Sequence, residues 1–319
     1  MSILSAKSAN ASHHVRHVSW QKRFKKSILS NWVLYLFVLP TFLYVVVFHY
    51  FPLYGIQIAF RNYKPARGIW GSDWVGFKYF AKFFSSYNCW EIIRNTLIIS
   101  FLEMLMFPMP ILLALVLHYT PNRHLRKFTQ SMTYAPYFIS VVVLCGMVVA
   151  FFSQTGIVNQ ITLKLGGQAT DFMNYPQYWR ALYVGSGVWR TTGYSAVIYI
   201  AALAGVSPDL HEAAIVDGAN RLHRIWHIDI PSILPTIVIL LVLRCGKVMS
   251  VGFQKAYLLQ NDLNLEVSEI ISTYVYKMGL QKGQYSLSTA VGLFNNIINF
   301  LLVISVNKAA NVLTGSGLW

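Results

Sequence analysis

Apolar residues gather along this chain into six blocks, near 32–51, 95–119, 131–152, 182–206, 233–253 and 287–306, with polar connections between them. Each block approaches or exceeds the ~20 residues that carry a helix across a ~30 Å hydrocarbon core. Backbone polar groups find no water at that depth, so each block is predicted to be a helix and the chain an all-α, polytopic membrane protein with six transmembrane helices. Pro40, Pro108, Pro110 and Pro136 fall inside blocks. Neighbouring helices can satisfy the carbonyls that prolines free, and both hinges and fixed kinks fit the pattern. Between the first two blocks, residues 75–84 place aromatics at helical spacing around Lys78 and Lys82, as a short helix lying in the membrane interface does.

Composition agrees with the pattern. Of 319 residues 55% are hydrophobic and only 12% charged, outside the range of soluble domains. Residues 1–31 carry Lys7, Arg16, Lys22, Arg23, Lys25 and Lys26 but no acid. They predict a disordered basic tail ending in an amphipathic anchor at 20–28, followed by a transmembrane domain over 32–319. No small-residue cleavage site closes the first block, so a removed signal peptide is not expected. The net charge of +15 suits basic flanks against anionic lipid headgroups. No nucleic-acid motif accompanies it, so membrane lipid is the expected partner and nucleic acid is not. Basic residues divide almost evenly between the two sides, but the tail lacks acids and the short 121–127 connection is dense in Arg and Lys. Short segments weigh most in the positive-inside rule, which places both termini in the cytoplasm. Cys89, Cys145 and Cys245 have no metal or disulfide spacing, and no metal site is expected. GxxxxGK[ST] is absent, so the chain has no ATPase site of its own.

The most polar stretch of the second half runs from Pro208 to Pro231, between two apolar blocks. Pro208-Asp209 is a helix-start signal. Leu210, Ala213 and Ala214 give a short helix with a small apolar face, which Gly218 can end. The order Glu212-Ala213-Ala214, Asp217-Gly218-Ala219 and Ile228-Asp229-Ile230-Pro231 resembles the EAA motif of type I, binding-protein-dependent ABC importer permeases. Ile230 replaces the Leu usual before the proline. His49–Gly55, Val267–Tyr276 and Ala290–Asn295 with Ile298-Asn299-Phe300 are similar to the oligosaccharide and polysaccharide permeases of that group, the alginate importers among them. The resemblance covers 30–319.

The resemblance implies the type I permease fold with a cytoplasmic coupling helix, in the inner (cytoplasmic) membrane of a bacterium. It implies a second homologous permease subunit and an extracytoplasmic solute-binding protein. It also implies two ATPase subunits, which would hold ATP and Mg while this chain holds no cofactor. Glu212, Ala213, Ala214, Asp217, Gly218, Ala219 and Pro231 would couple to the ATPase, and an oligosaccharide, acidic and alginate-like among the options, would be the cargo.

Three basic residues lie inside blocks: Arg190, Arg244 and Lys247. Ionisable residues at membrane depth are costly and face a cavity or a partner. At ~1.5 Å per residue, Arg244 sits about 17 Å above Ile233, near mid-membrane, with Lys247 a turn further along one face. Each either pairs with a carbonyl or a carboxylate such as Glu103, or faces substrate. The family often has Arg at 244; Lys247 is less typical, and Gln254 stands where Glu is frequent. Both departures make the pathway more positive. Trp189 and Tyr194 could stack a sugar ring. Asn295, Asn296 and Asn299 add polar groups to the sixth block, for substrate or for helix packing.

Two other classes compete. A secondary transporter or channel would work without ATP, yet coupling to protons or sodium usually needs membrane carboxylates, and only Glu103 qualifies. A membrane enzyme lacks a recognisable constellation: no HExxH occurs, and His223 with His227 has no third ligand in sequence.

Overall fold

The computed structural model describes residues 30–315, 317 and 318. The expected basic tail and its anchor, apart from Ser30 and Asn31, lie outside the described residues. The chain divides into two compact units, Met1–Ile56 and Gln57–Trp319. The first contains α1 (Trp32–Val45), which keeps Pro40 inside the helix and runs on through a π turn at Val46–Tyr50.

The second unit holds α2 (Lys78–Phe84), α3 (Cys89–Leu105), α4 (Pro108–Tyr119), α5 (Arg123–Tyr134), α6 (Val141–Phe152), α7 (Ile157–Lys164), α8 (Pro176–Ala204), α9 (Pro208–Val216), α10 (Arg221–Arg224), α11 (Ile230–Cys245), α12 (Phe253–Leu259), α13 (Leu265–Ser268), α14 (Ile271–Tyr276) and α15 (Tyr285–Thr314). Among the described residues there is no strand, only isolated bridges such as Arg61 to Trp74. Five stretches of the described residues are long and apolar enough to cross a membrane: Trp32–Phe60, Cys89–Tyr119, Val141–Lys164, Arg221–Cys245 and Tyr285–Val312. The pair α8 with α9, bent by 71°, makes a sixth where the two are counted as one span.

Proline decides where the spans break. Pro108 opens α4, because its ring cannot continue α3 without losing a backbone bond. Pro136 sits in the 3-10 turn Ala135–Phe138, and Ser140 then caps α6 by accepting the Val143 N–H at 3.2 Å. The predicted 131–152 helix is therefore two helices. The predicted 233–253 helix also stops early, at Cys245. There Gly246 lies so close to α15 that an added Cβ would overlap Val303 Cγ2, and the chain turns.

Small residues bring the spans together, as membrane helices require. Ala114 of α4 and Ala196 of α8 are fully buried in one cluster with Tyr199, Leu203 and Ile233. At Gly193, a Cβ would overlap the Thr133 carbonyl of α5. The α2 helix leaves Lys78 and Lys82 exposed but buries Phe83 against Tyr274 and Phe294. It is thus docked on α14 and α15, not only laid in the interface.

Candidate functional site

A cavity of about 740 Å³ opens within the second unit. Its wall comes from α3 and α4 (Ser100, Glu103, Pro110), from α8 (Tyr183, Arg190, Thr191), from the end of α11 (Arg244), and from the turn after it with α12 (Lys247, Lys255). The volume is within the ~300–1,000 Å³ of small-ligand sites. Four cations, Arg190, Arg244, Lys247 and Lys255, line it against one carboxylate, Glu103.

Each anchored cation is fastened by one backbone carbonyl. Arg190 donates Nε–H to Ile139 O at 3.0 Å and lies 5.5 Å from the Tyr137 ring centroid. Arg244 donates to the backbone oxygen of Glu103 at 2.9 Å. A guanidinium has five N–H donors, so one such bond orients it and leaves others for a ligand. Lys255 donates to the Tyr183 carbonyl, with its ammonium 4.0 Å over the Tyr183 ring. Lys247 is exposed and follows the end of α11, its N–H bonded to Arg244 O at 3.0 Å. It shares the cavity with Arg244 but not the helix that the sequence predicted.

The other predicted pathway residues are placed elsewhere. Trp189 does not line this cavity; it points to an apolar pocket of about 340 Å³ with Met147, Phe151 and Leu182. One residue of helix separates it from Arg190, which rotates it by ~100°. Tyr194 stacks on Tyr137 at 3.8 Å and so backs the ring beneath Arg190. Asn299 is buried; it accepts Met249 N–H at 2.9 Å and donates to Ser250 Oγ at 2.8 Å. That fixes the turn carrying Lys247, which is the helix-packing reading. Asn295 and Asn296 lie on α15 outside the cavity wall. Lys255 escaped sequence reading because it follows the break at Gly252 and reads as part of an outer loop. The available signal is the i, i+3 pair Ala256 and Leu259, the buried side of the helix Phe253–Leu259 that carries Lys255 to Tyr183.

The second candidate region is α9. Ser207 Oγ caps it, accepting Asp209 N–H at 3.3 Å. Gly218 ends it with φ +80°, and Ala219 N–H reaches Ala214 O at 2.8 Å while Gly218 N–H reaches Ile215 O at 3.0 Å. This is the paired bond set of a Schellman cap, which wants glycine at the left-handed position. No residue of α9 is buried; Glu212 and Ala213 are exposed, and Leu210, Ile215 and Val216 are exposed apolar side chains. Pro231 lies in the first turn of α11, directly after the π turn Ile225–Asp229. The base of α9 is tied down: His211 Nε2 lies 3.3 Å from Asp229 Oδ1, and Tyr119 Oη donates to Asp229 Oδ2 at 2.6 Å. Three distant segments meet there, which no local spacing could reveal.

Comparison with known proteins agrees with this architecture. Residues 106–311 match the family described as binding-protein-dependent transport system inner membrane component. Protein LplB of Bacillus subtilis (strain 168) is 38% identical over 304 residues, covering 95% of this chain and 94% of that one. The polygalacturonan/rhamnogalacturonan transport system permease protein YteP of the same organism is 39% identical over 301 residues, 94% of each chain. A chain of a bacterial alginate ABC transporter, solved with its alginate pentasaccharide-bound periplasmic protein, superposes with a TM-score of 0.87 at 37% identity, covering 93% of this chain and all of that one.

Proposed function

We infer that this chain, which belongs to the family of binding-protein-dependent transport system inner membrane components, is the permease subunit of an ATP-driven importer for acidic oligosaccharides. The observation that carries the substrate class is the cavity wall, with four cations against one carboxylate. Charge without a partner at membrane depth is expensive, and a chain of uronate units would supply the missing carboxylates. YteP is named for polygalacturonan and rhamnogalacturonan transport, and a solved bacterial ABC transporter 38% identical to this chain is described as importing the acidic polysaccharide alginate, which supports the same reading.

Energy would come from partners, because the chain has no nucleotide-binding loop. The capped, exposed α9 is the element suited to sit in an ATPase cleft, with Glu212 to Ala214 and Asp217 to Ala219 at its surface. Its tie to Asp229 would pass the movement to the spans. The full assembly would hold a second homologous permease, two ATPase subunits with ATP and Mg, and an extracytoplasmic solute-binding protein. Both termini and α9 would face the cytoplasm.

Purification of the tagged chain from its native membrane tests this. An ATPase subunit and a second permease should co-purify, and ATP hydrolysis should rise with loaded binding protein. Purification of a chain that transports alone, driven by a proton or sodium gradient, would instead make it a secondary transporter.

A further inference from the structure

We propose a transition-metal site at the base of α9, formed by His118, His211 and Asp229, with Zn²⁺ as the fitting ion. The ligand atoms of these three residues all lie within 4.8 Å of one another. They come from the end of α4, from α9 and from the π turn Ile225–Asp229 before α11. An ion there would join three separate elements of the fold.

Three features of the cluster support a ligand over a simple ion pair. The first is spacing: His211 Nε2 and Asp229 Oδ1 are 3.3 Å apart, about the separation of two ligands each ~2.0–2.1 Å from a tetrahedral ion. The second is that both atoms are buried and neither makes a hydrogen bond. The third is that Asp229 is fully buried and its other oxygen is held by Tyr119 Oη at 2.6 Å. That leaves Oδ1 directed at the histidines, the outer contact that orients a metal-bound carboxylate. His118 is partly exposed and brings a ring nitrogen within 4.8 Å of the other two ligand atoms, and water can take the fourth position. Two imidazoles and one carboxylate suit Zn²⁺ among divalent ions, with Mg²⁺ and Ca²⁺ disfavoured by the nitrogen donors. Arg224 lies nearby, 5.6 Å from the Tyr119 ring, stacked on the ring outside the ligand set.

The test is zinc titration of the purified, assembled transporter, followed by a competing chromophoric chelator. His13, His14 and His17 of the tail and the His223–His227 pair are background binders; the tail histidines are identical in every variant compared, and His223→Gln measures what the pair contributes. We expect one zinc equivalent per copy of this chain to disappear in His118→Gln and in His211→Gln, and to remain in His223→Gln. Tyr119→Phe should weaken that equivalent about tenfold or more. Co²⁺ bound at the same site should give the visible absorption of a four-coordinate ion. His118→Gln alters a partly exposed side chain, so it decides the matter even if buried Asp229→Asn fails to assemble. Zinc stoichiometry and affinity unchanged by His118→Gln and His211→Gln would overturn the proposal and leave a His–Asp ion pair.

Discussion

Lys255 holds its ammonium 4.0 Å above the Tyr183 ring and donates to the carbonyl of the same residue. A desolvated contact of this kind contributes about 2 kcal/mol, so the charge is a fixed part of the cavity wall. Charge-assisted hydrogen bonds are worth about 1.5–3 kcal/mol. Lys255→Met should therefore lower uptake of a uronate oligosaccharide about tenfold or more and change neutral oligosaccharide uptake little. Lys247→Met should act in the same direction. Equal loss for both substrates, with the complex intact, would make these lysines structural.

Asn299 predicts the opposite pattern. Its side chain closes the turn at Met249 and Ser250 and does not line the cavity. Asn299→Leu leaves a buried backbone N–H unpaired, which costs about 1–3 kcal/mol. The expected outcome is a lower melting temperature and a uniform fall in transport of every substrate. A change in preference between acidic and neutral sugars, without loss of stability, would put Asn299 in the pathway after all.

Gly218 tests the role of α9. A Cβ there meets nothing within 4 Å, so the cost of Gly218→Ala is the left-handed backbone alone, about 1–2 kcal/mol. Gly218→Pro is more severe, because proline cannot reach φ +80° and loses the N–H bonded to Ile215 O. Both variants should insert in the membrane. Gly218→Pro should lose co-purified ATPase or uncouple hydrolysis from transport, with Gly218→Ala intermediate. Normal ATP-driven uptake by Gly218→Pro would remove α9 from the coupling path.

The orientation is open to chemical labelling. Val216 is 87% exposed on α9, whereas Asn220 caps α10 through the His223 N–H and is better left intact. In a background with Cys245→Ser, Val216→Cys should resist a membrane-impermeant thiol reagent in intact cells and react after permeabilisation. Labelling from outside would invert the topology.

How much of this was readable beforehand follows from range. Most of the apolar blocks, and the short helix between Pro208 and Gly218, are written in local periodicity and end signals, and helices stand at those places. The breaks at Pro108 and Pro136 are local too, yet proline alone does not say whether a span bends or stops; Ser140 beyond Pro136 is the added clue. The end of α11 at Cys245 was hidden because Gly246 is set by Val303, far along the chain. Lys255 entered the cavity, and Trp189 left it, through helix rotation and chain reversal that hydropathy does not encode. His118, His211 and Asp229 needed three elements to be folded before they could meet.

The central claim is an ATP-driven path shaped for acidic saccharides. Its most direct test is uptake into vesicles holding the assembled complex, with ATP inside and the cognate binding protein outside, for uronate oligosaccharides and neutral ones of matched length. The account predicts ATP-dependent accumulation of the acidic chains, strongly preferred over the neutral ones and reduced by Lys255→Met. Uptake that ignores ATP, or that carries neutral and acidic chains equally well, would contradict it.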